Sequence, residues 1–181
     1  MKRLSSAVVM LAAGLSFGLS GCGYNQSGGS NNKLEGGYHW NSLYREDVQT
    51  VAVPVFASKD YRRGLEQRLT EAVVKQLEAH APYKVVPRDR ADTVLEGEVT
   101  LAQVSTVASD YQTNLPREQE FAVTVDILWK DLRTGRILVQ RKGIRQQSAF
   151  YPTLGEGEFV GQQDAIERLA MAIVRELQAD W

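Results

Sequence analysis

The sequence predicts an α+β domain, a two-layer sandwich in which two helices pack on one face of a mixed four- or five-stranded sheet. Three features predict it. Two segments place apolar residues at three- and four-residue steps. Several others alternate apolar and polar residues. Their order along the chain, β-α-β-β-β-β-α, requires one crossover and then hairpins.

The first strand is the apolar run Val51-Ala52-Val53-Pro54-Val55-Phe56, where Pro54 forces an edge, a bulge or an early end. Arg62 to His80 follows as an amphipathic helix with Leu65, Leu69, Ala72, Val73 and Leu77 on its apolar face. Pro82 stops it, and Tyr83 to Val86 reads as a short strand before Pro87. Thr93 to Val104 alternates, with Leu95, Gly97, Val99 and Leu101 expected on the helix side and Glu96, Glu98 and Thr100 on the other. Phe121, Val123, Val125, Ile127 and Trp129 repeat the alternation in a strand running to about Asp131. Asp131-Leu132-Arg133-Thr134-Gly135 supplies the turn of an antiparallel hairpin whose second arm is Arg136 to Ile144. Gly161 to Ala179 is the second helix, with Ala165, Ile166, Leu169, Ala170, Ile173, Val174 and Leu177 in a broad apolar stripe.

Ahead of this domain the chain has another character. Lys2 and Arg3 precede an uncharged stretch from Ala7 to Leu19, which has the length of a signal-peptide apolar region rather than of a membrane span. Leu19-Ser20-Gly21-Cys22 resembles a lipobox, so residues 1–21 are expected to be cleaved and Cys22 to carry acyl chains, palmitate among them. Cys22 is the only cysteine and has no disulfide partner within the chain; acylation removes an exposed thiol. Each buried acyl methylene contributes about 0.8 kcal/mol, so two or three chains hold the protein at a membrane. Gly23 stands where an aspartate commonly signals inner-membrane retention, which points to the outer membrane, periplasmic side. Residues 22–45 form an acylated N-terminus and flexible leader rich in Gly, Ser and Asn, and residues 46–181 the single domain. Tyr38, Trp40, Leu43 and Tyr44 are expected to pack on that domain.

Cleavage removes Lys2 and Arg3 and no acid, leaving 19 basic against 22 acidic side chains, a balance that does not suggest nucleic acid. His39 and His80 are the only histidines and neither has a neighbour suited to catalysis. Glu156 and Glu158 read as solvent-exposed, and the phosphate-loop and zinc motifs lack their minimum residue sets. The sequence reads as a binding module without enzymatic activity, metal or cofactor.

Taken together, Cys22-Gly23-Tyr24, the glycine-rich leader, Thr50 to Phe56, Gly64 to Ala72, Ala91 to Val99 and Asp131 to Arg136 resemble the LptE family of lipopolysaccharide-assembly lipoproteins. The resemblance implies a noncatalytic outer-membrane lipoprotein that plugs the β-barrel protein LptD and helps deliver lipopolysaccharide to the outer leaflet. It also implies lipopolysaccharide binding through basic residues, at positions that no motif here marks. From the residues alone, the candidates are Lys130, Arg133 and Arg136 at the hairpin turn, with Arg141, Lys142 and Arg145 further along, because guanidinium groups suit bidentate pairing with phosphates. A strand followed by an amphipathic helix also opens LpoB-like and CsgG-like lipoprotein domains, which regulate peptidoglycan synthases or build channels.

Overall fold

The computed structural model describes residues 43–178. Cys22, the leader residues Tyr38 and Trp40, and the cleavage site lie outside this range. The chain runs β1 (Thr50–Ala52), β2 (Ala57–Ser58), α1 (Leu65–His80), β3 (Lys84–Val85), β4 (Thr93–Ser109), β5 (Pro116–Asp131), β6 (Ile137–Phe150) and α2 (Glu158–Glu176). The sheet order is β3-β1-β4-β5-β6, with β2 paired to β4 beside that path. The β1, β2 and β3 pairings are parallel, and β4-β5-β6 is an antiparallel meander.

Pro54 ends the first strand early, as its missing N–H requires. Beyond it the chain rejoins β4 as β2, a pairing too short to leave a periodic signal. The first helix begins at Leu65 rather than Arg62, because Gly64 adopts a left-handed conformation (φ +86°) just before it. Inside α1, Thr70 is buried and useful: its hydroxyl donates to the Glu66 carbonyl at 2.6 Å and accepts the Phe56 N–H at 3.0 Å, fixing the chain after Pro54.

The helices close one face of the sheet. Leu65, Leu69, Val73 and Leu77 of α1 and Ala165, Ile166, Leu169, Ala170 and Ile173 of α2 are buried with Phe121, Val123, Val125, Ile127 and Trp129 of β5, so the β5 alternation holds throughout. On β4 it does not. Leu95 and Val99 are buried as expected, but a bulge between Val99 and Leu101 turns Leu101 to the open face, where it is 44% exposed, and Ala102 takes the core position. A second bulge, at Lys142–Gly143 (φ of Gly143 +71°), explains the poor regularity of β6.

Both β4 and β5 continue past the helices. Ser105–Ser109 is wholly exposed, and Asp110 fixes the turn by accepting the N–H groups of Gln112 and Thr113, each at 3.0 Å. At the opposite end, Tyr44 stands edge-on to Tyr83, which in turn packs on Trp129, so this part of the leader does join the core. Leu43 beside it is half exposed. Thr50 and Asp92 interlock β1 with the start of β4: the Thr50 N–H and hydroxyl donate to Asp92 Oδ2 (3.1 and 2.7 Å), and the Asp92 N–H donates to Thr50 Oγ1 (2.8 Å).

Candidate functional site

The β5–β6 turn forms as the sequence predicts. Asp131 Oδ1 accepts the N–H of Arg133 at 2.7 Å and of Thr134 at 3.0 Å, and Gly135 takes the left-handed conformation that closes the loop. Arg133 and Arg136 sit on this turn, exposed. Lys130 does not present its charge with them. Its side chain is 28% exposed on the open face of the sheet, where Nζ donates to Glu96 Oε2 at 2.8 Å; Arg88 reaches the other oxygen of Glu96 at 3.2 Å. The hydrogen bond from Lys130 holds the Glu96 carboxyl below its ordinary pKa.

The turn is therefore mixed in charge rather than simply basic. Asp131 is held low chiefly by the Thr134 N–H, and Asp92 chiefly by the Thr50 hydroxyl, with Arg133 adding attraction at both. Arg136 lies within electrostatic reach of Asp47. Further along β6, Arg141 Nε donates to Glu176 Oε2 at 2.7 Å and so fastens β6 to α2. Lys142 and Arg145 are exposed on the open face and form no ion pair among the described residues. The sequence groups six cations, and the structure divides them into two engaged in ion pairs, two on the turn and two on the open face.

That open face also holds Glu98, paired with Lys59 at 2.6 Å, and a shallow depression of about 190 Å³ among Glu96, Glu98, Asp126, Leu128, Gln140 and Lys142. Arg88 and Lys59 were not singled out by sequence reasoning: Arg88 lies in the irregular turn just before β4, and Lys59 is far in sequence from Glu98. Glu96 and Glu98 mark the charged face of β4, but their register partners on β5 are Leu128 and Asp126, so the cations that pair with them come from elsewhere. Glu156 and Glu158 are structural: Glu156 Oε2 accepts the Tyr151 N–H at 2.8 Å, and Glu158 pairs with Arg62. Among the described residues no group of three or more His, Cys, Asp or Glu could hold a metal ion, and no helix is long and apolar enough to cross a membrane.

A family model described as LptE, lipopolysaccharide-assembly, matches residues 48–180, well over half of the chain. The chain belongs to the LptE family. No curated protein matches it by sequence. In fold it is similar to a hypothetical protein of Chlamydia trachomatis, at 10% identity and a TM-score of 0.51 over 70% of this chain and 94% of that one. It is also similar to lipoprotein B of Nitrosomonas europaea, at 14% identity and a TM-score of 0.50 over 73% and 83%. These likenesses establish that the sandwich recurs; the LptE assignment rests on the family match. Membership assigns the chain to lipopolysaccharide assembly, and the Thr50 to Arg136 segments that suggested it fall inside the matched region.

Proposed function

We propose that this LptE-family chain is an outer-membrane lipoprotein, anchored on the periplasmic side through acyl chains on Cys22, that plugs an LptD-type β-barrel and helps deliver lipopolysaccharide to the outer leaflet. It acts by binding, without catalysing a reaction. The family match over residues 48–180 carries this reading. The fold agrees with it: the helices seal one face, while the open face offers polar and charged side chains to a partner. In this reading Arg133 and Arg136 are the cations of the turn best placed to meet lipid phosphates, and Lys130 supports the strand through Glu96.

Affinity purification of the acylated, detergent-solubilised protein tests it. A large β-barrel of the LptD type is the expected partner. Recovery of a penicillin-binding protein or a homo-oligomeric ring points instead to the LpoB/CsgG-like class, and recovery of neither leaves the plug without support.

A further inference from the structure

The exposed apolar side chains are unevenly placed. At the N-terminal end of α2, Tyr151, Leu154, Phe159 and Val160 are all exposed, Leu154 by 76% and Phe159 by 62%. Arg62 pairs with Glu158, which seats the corner Tyr61–Arg63 beside them, and Tyr61 is fully exposed. Aromatic side chains carry about 150–250 Å² each, so this rim shows several hundred Å² of mostly apolar surface, the size that marks an interaction site. Its position is fixed. Arg68 lies over the Phe159 ring at 5.3 Å and donates to Gln162 Oε1, while the Tyr151 N–H is held by Glu156. Arg63, on the same corner, is exposed and forms no ion pair among the described residues.

We propose that this rim contacts the acyl chains of the lipopolysaccharide that the protein handles. The proposal rests on the reading of the chain as a lipopolysaccharide-binding assembly factor. Two points favour an amphiphile over the wall of a protein partner: the family is one of lipopolysaccharide assembly, and lipopolysaccharide is an acylated, phosphorylated amphiphile; and the apolar rim is bordered by Arg63, a guanidinium suited to a phosphate that forms no ion pair among the described residues. Polar side chains tied to one another keep the rim from collapsing onto the core, so it stays displayed.

The test uses the full acylated protein, with lipopolysaccharide and the same lipopolysaccharide after chemical deacylation as probes. Burial of one large apolar side chain changes an equilibrium constant by about tenfold or more. The wild type is therefore expected to hold the acylated form at least about tenfold more tightly than the deacylated form. Leu154→Ser with Phe159→Ser should erase that preference while leaving deacylated binding unchanged. As an independent reading that does not remove the rim, Phe159→Trp should shift its emission to the blue with acylated probe only.

A wild type that binds both forms equally overturns the rim proposal while leaving lipopolysaccharide binding intact. A wild type that binds neither overturns both. A double variant that keeps the acyl preference but loses a co-purifying barrel makes the rim a protein contact and also overturns the proposal.

Discussion

Gly97→Ala tests how tightly the first crossover is seated. A Cβ at Gly97 would stand 2.5 Å from both Cδ2 and Cε2 of Phe56 and 2.8 Å from Cζ, against ordinary carbon contacts of about 3.5–4.0 Å. Phe56 is 2% exposed, and its backbone N–H is held by Thr70, so the ring has little freedom to slide away. A ring shift of about 1 Å in a packed core costs about 1–3 kcal/mol. For a domain of this length a loss of about 2 kcal/mol lowers Tm by roughly 6–8 °C. Phe56→Val removes the ring atoms that clash. It destabilises on its own by about 2–3 kcal/mol through the cavity it leaves. Combined with Gly97→Ala it should cost less than the two separate losses added, by about 1–2 kcal/mol. Urea unfolding of the mature chain with Cys22→Ser measures all four corners of the cycle. Strict additivity, or a Gly97→Ala loss under about 0.5 kcal/mol, would show that β2 yields and that Phe56 does not pin the crossover.

Three further outcomes follow from the charges and the anchor. Asp92, Glu96 and Asp164 are all held below the ordinary carboxylate range, led respectively by hydrogen bonds from Thr50, Lys130 and Ser148. Such groups contribute stability above the unfolded pKa of about 4, and it is lost as pH falls through the lower folded value. Tm should therefore decline below about pH 4, and Asp164→Asn should flatten that decline; an unchanged acid limb refutes the assignment. Cys22→Ser should move the protein from the membrane to the soluble fraction on cell fractionation, and continued sedimentation with membranes removes Cys22 as the anchor. Charge reversal of Lys130, Arg133 and Arg136 should weaken lipopolysaccharide binding, while reversal of Arg133 and Arg136 alone should do so without the stability loss caused by placing a carboxylate at position 130 beside Glu96. Unchanged affinity in both variants excludes the turn as a contact.

Most of the fold was legible where one face of an element is apolar and the other polar. Leu65 to Leu77, Ala165 to Leu177 and Phe121 to Trp129 announce their buried faces through period alone. What escaped has a physical pattern. Leu101 continues the alternation in sequence, but a bulge is a backbone event that no side chain announces, and it moves Leu101 to solvent. Strands β4 and β5 overrun the expected ends because Ser105–Ser109 and Pro116–Glu120 are held by pairing with each other rather than by an apolar face. The turn at Asp131–Gly135 was readable because its chemistry is local. The capture of Lys130 by Glu96 was not, since the two are distant in sequence and meet only through strand register.

Strand β6 connects the two surfaces for which lipid contacts are proposed. It runs from the Arg133–Arg136 turn to Phe150 at the apolar rim, and 14 residues at about 3.3 Å each span roughly 45 Å. From Arg145 to Phe150 the same rise gives only about 17 Å. Phosphates and acyl chains of one molecule fit the shorter interval far better than the longer. The structure therefore separates two arrangements. If rim and cations engage a single lipopolysaccharide, Arg63 beside the rim and Arg145 on β6 are the cations involved, and reversing them should abolish the coupling between acylation and binding. If Arg133 and Arg136 dominate instead, the turn and the rim act on different molecules or at different moments, and variants at the two ends should be additive. A double-mutant cycle between Arg145→Glu and Phe159→Ser, read by lipopolysaccharide affinity, decides between them: coupling beyond about 0.5 kcal/mol supports one shared ligand, and additivity refutes it.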